Sequence, residues 1–344
     1  MSAGGAAGGL FVAVVAPALF PLVVEHHLGL LAAALLLPLV WMRDEPRGWF
    51  HAKSVRAWLC VLCGVVPLMA GLTLDVVATL NSVRIITRNF YGVVRVLERR
   101  QETPAAAYYE LAHGGTRHGL QMLDPKLARL PTTYYGLTSG VGLTLGTHHA
   151  DRPRRVGLIG LGVGTLATYG RKSDRYDFYE IDPAVRDLAK HVFRYLSDSS
   201  ATIQVIPGDA RLALERREPQ MYDVLVLDAS SSDAIPIHLL TAEAFEIYRQ
   251  HLAPDGIVAA HVSNQYFNLN PVLAGHARRL GWSVIGIADR TLFTVPSFWM
   301  LLSPSIESLS EGALKEADRS PLGKPLDWTD SKHSLFQVMG AEPL

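Results

Sequence analysis

The sequence predicts an α/β protein with a doubly wound parallel sheet, preceded by a small antiparallel β domain and by N-terminal membrane helices. Long uncharged runs fill the first 80 residues, β-prone runs separated by turn signals follow, and apolar strands then alternate with helical segments. Such alternation is typical of a parallel sheet with helices on both faces. We expect a membrane segment over 1–80, a β domain over 81–150, a sheet domain over 151–304 and a C-terminal extension over 305–344.

Three uncharged runs dominate the N-terminal segment. Residues 1–24 carry no charge, but the apolar runs 10–24 and 28–42 are short for a membrane span, whereas 57–74 is long enough, since a spanning helix needs about 20 apolar residues, range roughly 17–25. The first two runs fit a tilted or re-entrant hairpin around 25–27. The alternative is a buried helical bundle in a soluble protein. We expect the protein in the cytoplasmic membrane with its catalytic domain in the cytoplasm, although basic residues flank the third run on both sides and the positive-inside rule favours neither orientation.

The charge and cysteine content exclude some functions. The chain has 32 Lys plus Arg and 32 Asp plus Glu, so there is no electrostatic case for a nucleic-acid partner. Cys60 and Cys63 form the only C-x-x-C pair and stand in an apolar run, which favours packing residues over a zinc or redox site. We therefore expect no metal.

The β domain is predicted from three short runs, 91–97, 106–112 and 117–123, separated by turn signals at 102–104 and 113–115. A loop around Tyr135 then leads to a helix near 142–148. The exposed edges of such a small sheet can pair with another copy, so a homodimer is a possible assembly.

The sheet domain is predicted as alternating elements. We expect strands over 156–159, 176–181, 203–206, 222–227, 257–262, 283–288 and 298–302, and helices opening at 165–169 and covering 184–196, 210–217, 242–252 and 271–280. Ligands of open α/β sheets bind beyond the carboxyl ends of the strands. Four chemistry-bearing residues fall at such ends: Gly160, Glu180, Asp209 and Asp228. Asn264, after a later strand, fits either the pocket lining or a turn.

The glycine loop after the first strand indicates the ligand class. Gly160, Gly162 and Gly164 give G-x-G-x-G, and Glu180 ends the next apolar run 20 positions after Gly160, two residues before Asp182. A strand, a tight loop, a helix and a second strand would place a nucleoside at the helix N-terminus, with an acidic acceptor for its ribose hydroxyls. A dinucleotide fingerprint needs a third glycine where Thr165 stands. The pattern therefore favours an S-adenosylmethionine-type ligand and a methyltransferase-like, Rossmann-type domain.

Residues 84–340 resemble the spermidine synthase (polyamine aminopropyltransferase) family, in particular the bacterial group in which this domain is fused to membrane helices. Residues 159–164 resemble the family's I-G-G-G-D-G, and 222–228 resemble its Y-D-x-I-I-x-D. The resemblance implies transfer of an aminopropyl group from decarboxylated S-adenosylmethionine to putrescine or a related amine. It also implies these roles: ribose binding by Glu180, adenine contact by Asp209 and Ala210, amine binding by Gln121 and Tyr135, and catalysis by Asp228.

The amine half of the site departs from the family pattern. Val163 stands where the family has an Asp that holds the ammonium end of the nucleoside. The second acid after Asp228 is displaced to Asp233, which would hold the far end of the amine, and Tyr135 is followed by Gly136 and Leu137 without the usual Glu.

We expect Asp228 to act as the general base, since free alkyl amines are mostly protonated at neutral pH. Two alternatives stay open. One is a methyltransferase that uses S-adenosylmethionine itself, and the other is a non-catalytic nucleoside-sensing module coupled to a membrane partner.

Overall fold

The computed structural model describes residues 2–44, 55–100, 103, 106–229, 236–264, 266–290, 295–317, 319–320 and 322–340. The chain divides into two compact units, Met1–Glu98 and Arg99–Leu344. The division into four domains stays a prediction.

The first unit consists of apolar helices and one β-hairpin. Its elements are α1 (Ser2–Leu10), a π-helical turn (Phe11–Val15), α2 (Ala16–Leu19), α3 (Val24–Asp44), α4 (Val55–Ser82), β1 (Val83–Asn89) and β2 (Gly92–Arg99). Among the described residues, α4 alone is long and apolar enough to cross a membrane, by length and composition, and the other apolar helices are shorter. The Arg88 guanidinium donates to the Glu25 carboxylate at 2.5 and 3.0 Å, which joins β1 to the start of α3.

The second unit carries the large sheet. Its first elements are β3 (Tyr108–His113), β4 (Thr116–Met122), α5 (Gly140–Thr147), β5 (Arg155–Ile159), β6 (Arg175–Glu180), α6 (Pro183–His191), α7 (Tyr195–Asp198) and β7 (Thr202–Pro207). The others are α8 (Ala210–Glu215), β8 (Tyr222–Leu227), α9 (Ala242–His251), β9 (Leu252–His261), α10 (Asn270–Leu280), β10 (Ser283–Asp289), β11 (Ser297–Ser303) and β12 (Arg319–Ser320).

The order of strands in this sheet is β12-β10-β11-β9-β8-β5-β6-β7. The strands from β7 to β9 are parallel, whereas β11 runs antiparallel to both β9 and β10. The central β5 and β8 are almost wholly buried, because apolar residues face helices on both sides. The predicted methyltransferase-like sheet is confirmed, and β3 and β4 form an antiparallel hairpin as predicted.

The direction of chain connection reverses at β5. From β5 the chain continues to β6 on one side, and returns later to β8 on the other side. In a doubly wound sheet this reversal opens a crevice beyond the carboxyl ends of the strands. The residues that follow β5, β6 and β8 border that crevice.

Three predicted elements are wrong. Thr165–Tyr169 forms a 3-10 turn rather than the start of an α-helix, because the backbone turns extended at Gly170. The predicted helix over 184–196 splits into α6 and α7 where the amides of Val192 and Phe193 both donate to Leu188 O. Residues 253–256, which stand between the predicted helix 242–252 and the predicted strand 257–262 and read as a turn because of Pro254 and Gly256, are part of β9 and bulge opposite β8. In addition, β1 and β12 were not predicted.

Candidate active site

The glycine loop after β5 approaches other backbone too closely for a side chain. Gly160 has φ +101°, and a Cβ there would lie 2.3 Å from Asp228 O. Gly162 has φ +53°, and its Cβ would lie 2.8 Å from His118 O. Gly164 also has positive φ and precedes the 3-10 turn. The loop therefore passes tightly between the end of β8 and the β3–β4 hairpin, a path that only glycine permits without strain.

Glu180, the last residue of β6, is joined to this loop. Its carboxylate accepts hydrogen bonds from Leu161 N at 3.1 Å and from Asp182 N at 2.8 Å. Burial raises the pKa of Glu180 to about 7, although both amides oppose the shift. A carboxylate has about four lone-pair positions, so two are left for ribose hydroxyls.

Asp182, Asp209 and Ala210 lie at the N-termini of helices. Asp182 is buried and caps α6 by accepting from Ala184 N at 2.8 Å. Asp209 caps α8 by accepting from Leu212 N at 2.9 Å, and Ala210 is the buried first residue of that helix. The second carboxylate oxygen of Asp209 lies 2.9 Å from His238 Nε2. An adenine amino group bound to Asp209 would have to share or displace His238.

Asp228 follows β8 and is tied to β5, because its backbone amide donates to Ile159 O at 2.9 Å. Its side chain is nearly buried and accepts two hydrogen bonds. The Tyr135 hydroxyl donates to Oδ2 at 2.5 Å, and His261 Nδ1 lies 2.9 Å from Oδ1. The structure thus brings Tyr135 and Asp228 together.

Aromatic rings enclose His261 beside Asp228. The imidazole lies between the rings of Tyr134 and Trp299, with centroid distances of 4.3 and 4.8 Å and nearly parallel planes. Trp299 Nε1 donates to Tyr134 O at 3.3 Å, which fixes the indole relative to the loop. Burial raises the pKa of Tyr135 well above 10, and the Asp228 charge adds to the rise.

Sequence reasoning missed His261, Tyr134 and Trp299. The signal for His261 was present, because it ends β9, the strand next to β8, and lies at the same edge as Asp228. Asn264 was considered instead, and its side-chain oxygen accepts from Tyr266 N and Phe267 N in a turn.

The other amine-side candidates lie apart or outside the described residues. Gln121 is buried, and its amide is used at both ends: Nε2 donates to Ala128 O at 2.9 Å and Oε1 accepts from Arg194 N at 2.7 Å. Asp233 lies in the segment 230–235, outside the described residues. Val163 is buried facing Gly119, so no carboxylate stands at that position of the loop.

One cluster with metal-ligand chemistry is found among the described residues, at the end of the sheet opposite the carboxyl ends of the parallel strands. Atoms of His149, Asp223 and Asp255 lie within 4.8 Å of one another. The Arg152 guanidinium is 2.7 Å from Asp223 and supplies positive charge there. Since Asp223 is near the start of β8, this cluster is separate from the site at Asp228.

Comparison with known proteins supports the resemblance seen in the sequence. No family model matches the chain. It is 32% identical over 143 residues to a polyamine aminopropyltransferase of Vibrio vulnificus (strain CMCP6), across 40% of this chain and 46% of that protein. It is 29% identical over 160 residues to a probable polyamine aminopropyl transferase of Bifidobacterium longum (strain NCC 2705), across 42% of this chain and 34% of that protein. The chain thus spans less than half the length of these curated relatives.

Among solved structures, a probable spermidine synthase from Corynebacterium glutamicum ATCC 13032 is similar, with a TM-score of 0.50 and 19% identity, over 64% of this chain and 79% of that one. This likeness shows the fold. Together with the curated relatives, it confirms the predicted similarity to the spermidine synthase family.

Proposed function

We propose that this chain is an aminopropyltransferase that moves an aminopropyl group from decarboxylated S-adenosylmethionine to a polyamine such as putrescine. One observation carries the proposal: a single glycine loop contacts both Glu180 and Asp228. A ribose held at the Glu180 end of the loop would direct the 5′ substituent of the nucleoside along the loop towards Asp228. The names of the curated relatives support the same reaction class.

The reaction is a displacement at carbon. The lone pair of a neutral amine attacks the methylene carbon next to the sulfonium, the C–S bond breaks with its electron pair going to sulfur, and a neutral thioether leaves. Because alkyl amines have a pKa near 10.4 by analogy with Lys, the site has to remove a proton from the incoming amine. Asp228 would attract the cation, and the sequence predicts that it also takes the proton as the general base.

Alignment of the two reactants supplies most of the remaining acceleration. Glu180 would hold the ribose and Asp209 the adenine. Tyr135 stays protonated because of its raised pKa, and its hydroxyl holds the Asp228 carboxylate in place. The two halves of the site thus have separate residues for binding and for chemistry.

A second candidate function is methyl transfer from S-adenosylmethionine itself. The burial of Val163 against Gly119 favours it, because an acid at this position would select the ammonium end of the decarboxylated compound. Without that acid, a ligand that keeps its carboxylate is repelled less.

We also propose that the N-terminal unit anchors the enzyme in a membrane, on the length and composition of α4. The catalytic residues would then act at the membrane surface on a soluble amine.

One assay tests the two proposed reactions. The full-length protein in detergent is incubated with radiolabelled decarboxylated S-adenosylmethionine or S-adenosylmethionine and a panel of amines. We expect label from the aminopropyl group in the amine product. Methyl transfer would support the second candidate, and binding of either nucleoside without turnover would indicate a sensing module and contradict both.

A further inference from the structure

We propose that His261 takes the proton from the attacking amine. The Asp228 carboxylate would fix the orientation of the imidazole and stabilise its protonated form. The inference rests on the proposed aminopropyl transfer and concerns the same site. His261 lies at the carboxyl end of β9, beside the end of β8.

The Asp228 contact selects the form of the imidazole. An ionised carboxylate only accepts hydrogen bonds, so the contact of 2.9 Å between His261 Nδ1 and Asp228 Oδ1 assigns the proton to Nδ1. Nε2 then carries a free lone pair. A carboxylate in this position fixes the tautomer of a catalytic histidine and stabilises its protonated form.

The Nε2 atom is ready to accept a proton. It is buried and has no hydrogen-bond partner among the described residues. The rings of Tyr134 and Trp299 hold the imidazole on both faces, so it does not turn to find a partner. A buried polar atom without a partner destabilises the free protein, and an amine N–H arriving at Nε2 would remove that cost.

The proton transfer balances in charge and atoms. Nε2 first takes a proton from the bound ammonium, which leaves a neutral amine and an imidazolium whose positive charge lies against Asp228. The amine lone pair then forms the bond to carbon as the C–S bond breaks, and the products are a neutral thioether and a secondary ammonium. The charge of the ammonium thus moves to His261, next to a carboxylate that Tyr135 also holds, and the charge of the sulfonium moves to the product amine.

Among the described residues, the titratable groups nearest the imidazole are Asp228 and Tyr134, which contact it, and Tyr135, which contacts Asp228. Burial raises the pKa of both phenols well above 10, so neither competes as a base near neutral pH. His261 and Asp228 therefore remain as the proton acceptors among these groups.

The test replaces His261 in the full-length protein in detergent. His261→Asn keeps an N–H donor near the Nδ1 position but has no basic nitrogen, and His261→Gln places an amide nearer the Nε2 position. We expect kcat for aminopropyl transfer to fall about 100-fold or more in both variants, the usual scale for a positioned base. KM for the nucleoside should stay within about threefold. The acid limb of the kcat–pH profile should disappear, and alkaline pH should restore part of the rate because more amine arrives neutral.

His276→Asn is the matched control, since His276 lies on α10 and is also buried, but its Nε2 bonds to Leu240 O. It should keep the wild-type kcat and pH profile. Wild-type kcat and an unchanged acid limb in a folded His261 variant would overturn this inference and leave the proposed function intact. A wild-type profile without an acid limb would overturn it even if both variants fail to fold. An inactive wild-type enzyme would remove the proposed function first, and this inference with it.

Discussion

Glu180 gives the sharpest test of the nucleoside half of the site, because its affinity for protons and its affinity for ribose are linked. Burial raises the pKa of its carboxyl group to about 7 in the free protein. Ribose hydroxyls donate hydrogen bonds, so they favour the ionised carboxylate and lower its pKa when they bind. Nucleoside affinity should therefore rise as the pH rises through 7.

The size of this effect follows from the fraction of Glu180 that is ionised. With a pKa of about 7, roughly a tenth of the groups are ionised at pH 6 and nine-tenths at pH 8, which predicts about a 10-fold gain in affinity, or about 1.4 kcal/mol. Calorimetry with the uncharged methylthioadenosine product measures it without interference from an ammonium group. At pH 6, binding should also release about one proton.

Glu180→Gln should abolish this pH dependence and weaken binding at pH 8 by about 1.5–3 kcal/mol, the range for a hydrogen bond to a charged group. Glu246→Gln is the control, because Glu246 is an exposed acid on α9 that pairs with Arg249, and it should bind like wild type. Equal affinity at pH 6 and pH 8 in wild type would refute the linkage. Unchanged affinity in a folded Glu180→Gln variant would refute the ribose assignment itself.

Three further predictions concern chemistry, packing and location. Asp228→Asn should lower kcat about 100-fold or more with little change in nucleoside affinity and with partial recovery at alkaline pH; a parallel loss of binding would make Asp228 a ligand-binding acid. Gly160→Ala should destabilise the protein in thermal unfolding more than Gly208→Ala. Both glycines have φ above +100°, but only a Cβ at Gly160 would meet Asp228 O. Equal losses of thermal stability would mean that backbone strain at positive φ alone accounts for the effect. The full chain should stay in the pellet after carbonate washing and ultracentrifugation, whereas a chain starting at Ser82 should be soluble; recovery of the full chain in the supernatant would contradict membrane anchoring.

The sequence predicted the sheet domain well because several of its strands are short, mostly apolar runs ended by a turn residue. The strand over 222–227 was predicted with its observed bounds, since a buried parallel strand shows as a continuous apolar stretch. The same local rule failed at 253–256, where Pro254 and Gly256 indicate a turn but form a bulge inside β9. Pairing with β8 decides this segment, and pairing between distant segments is not visible in local composition.

The nucleoside half of the site was predictable for a similar reason. Gly160 and Glu180 are separated by one strand–loop–strand unit, so their spacing in sequence nearly determines their spacing in the fold. Asp228 and Tyr135 came from the family resemblance. His261 and Trp299 were not found, because 33 residues separate His261 from Asp228 and the two meet only when β9 pairs with β8.

The contacts of Asp228 explain why an altered amine half is compatible with the same reaction. The loop lacks the acid that Val163 replaces, so it does not itself hold a cationic end. The carboxylate that faces the reaction is instead fixed from two sides, by a hydroxyl on the loop before α5 and by an imidazole on β9. A site built this way depends less on electrostatic capture of the substrate and more on the position of its proton acceptor. It should therefore tolerate variation in the far end of the amine better than loss of the contact between His261 and Asp228.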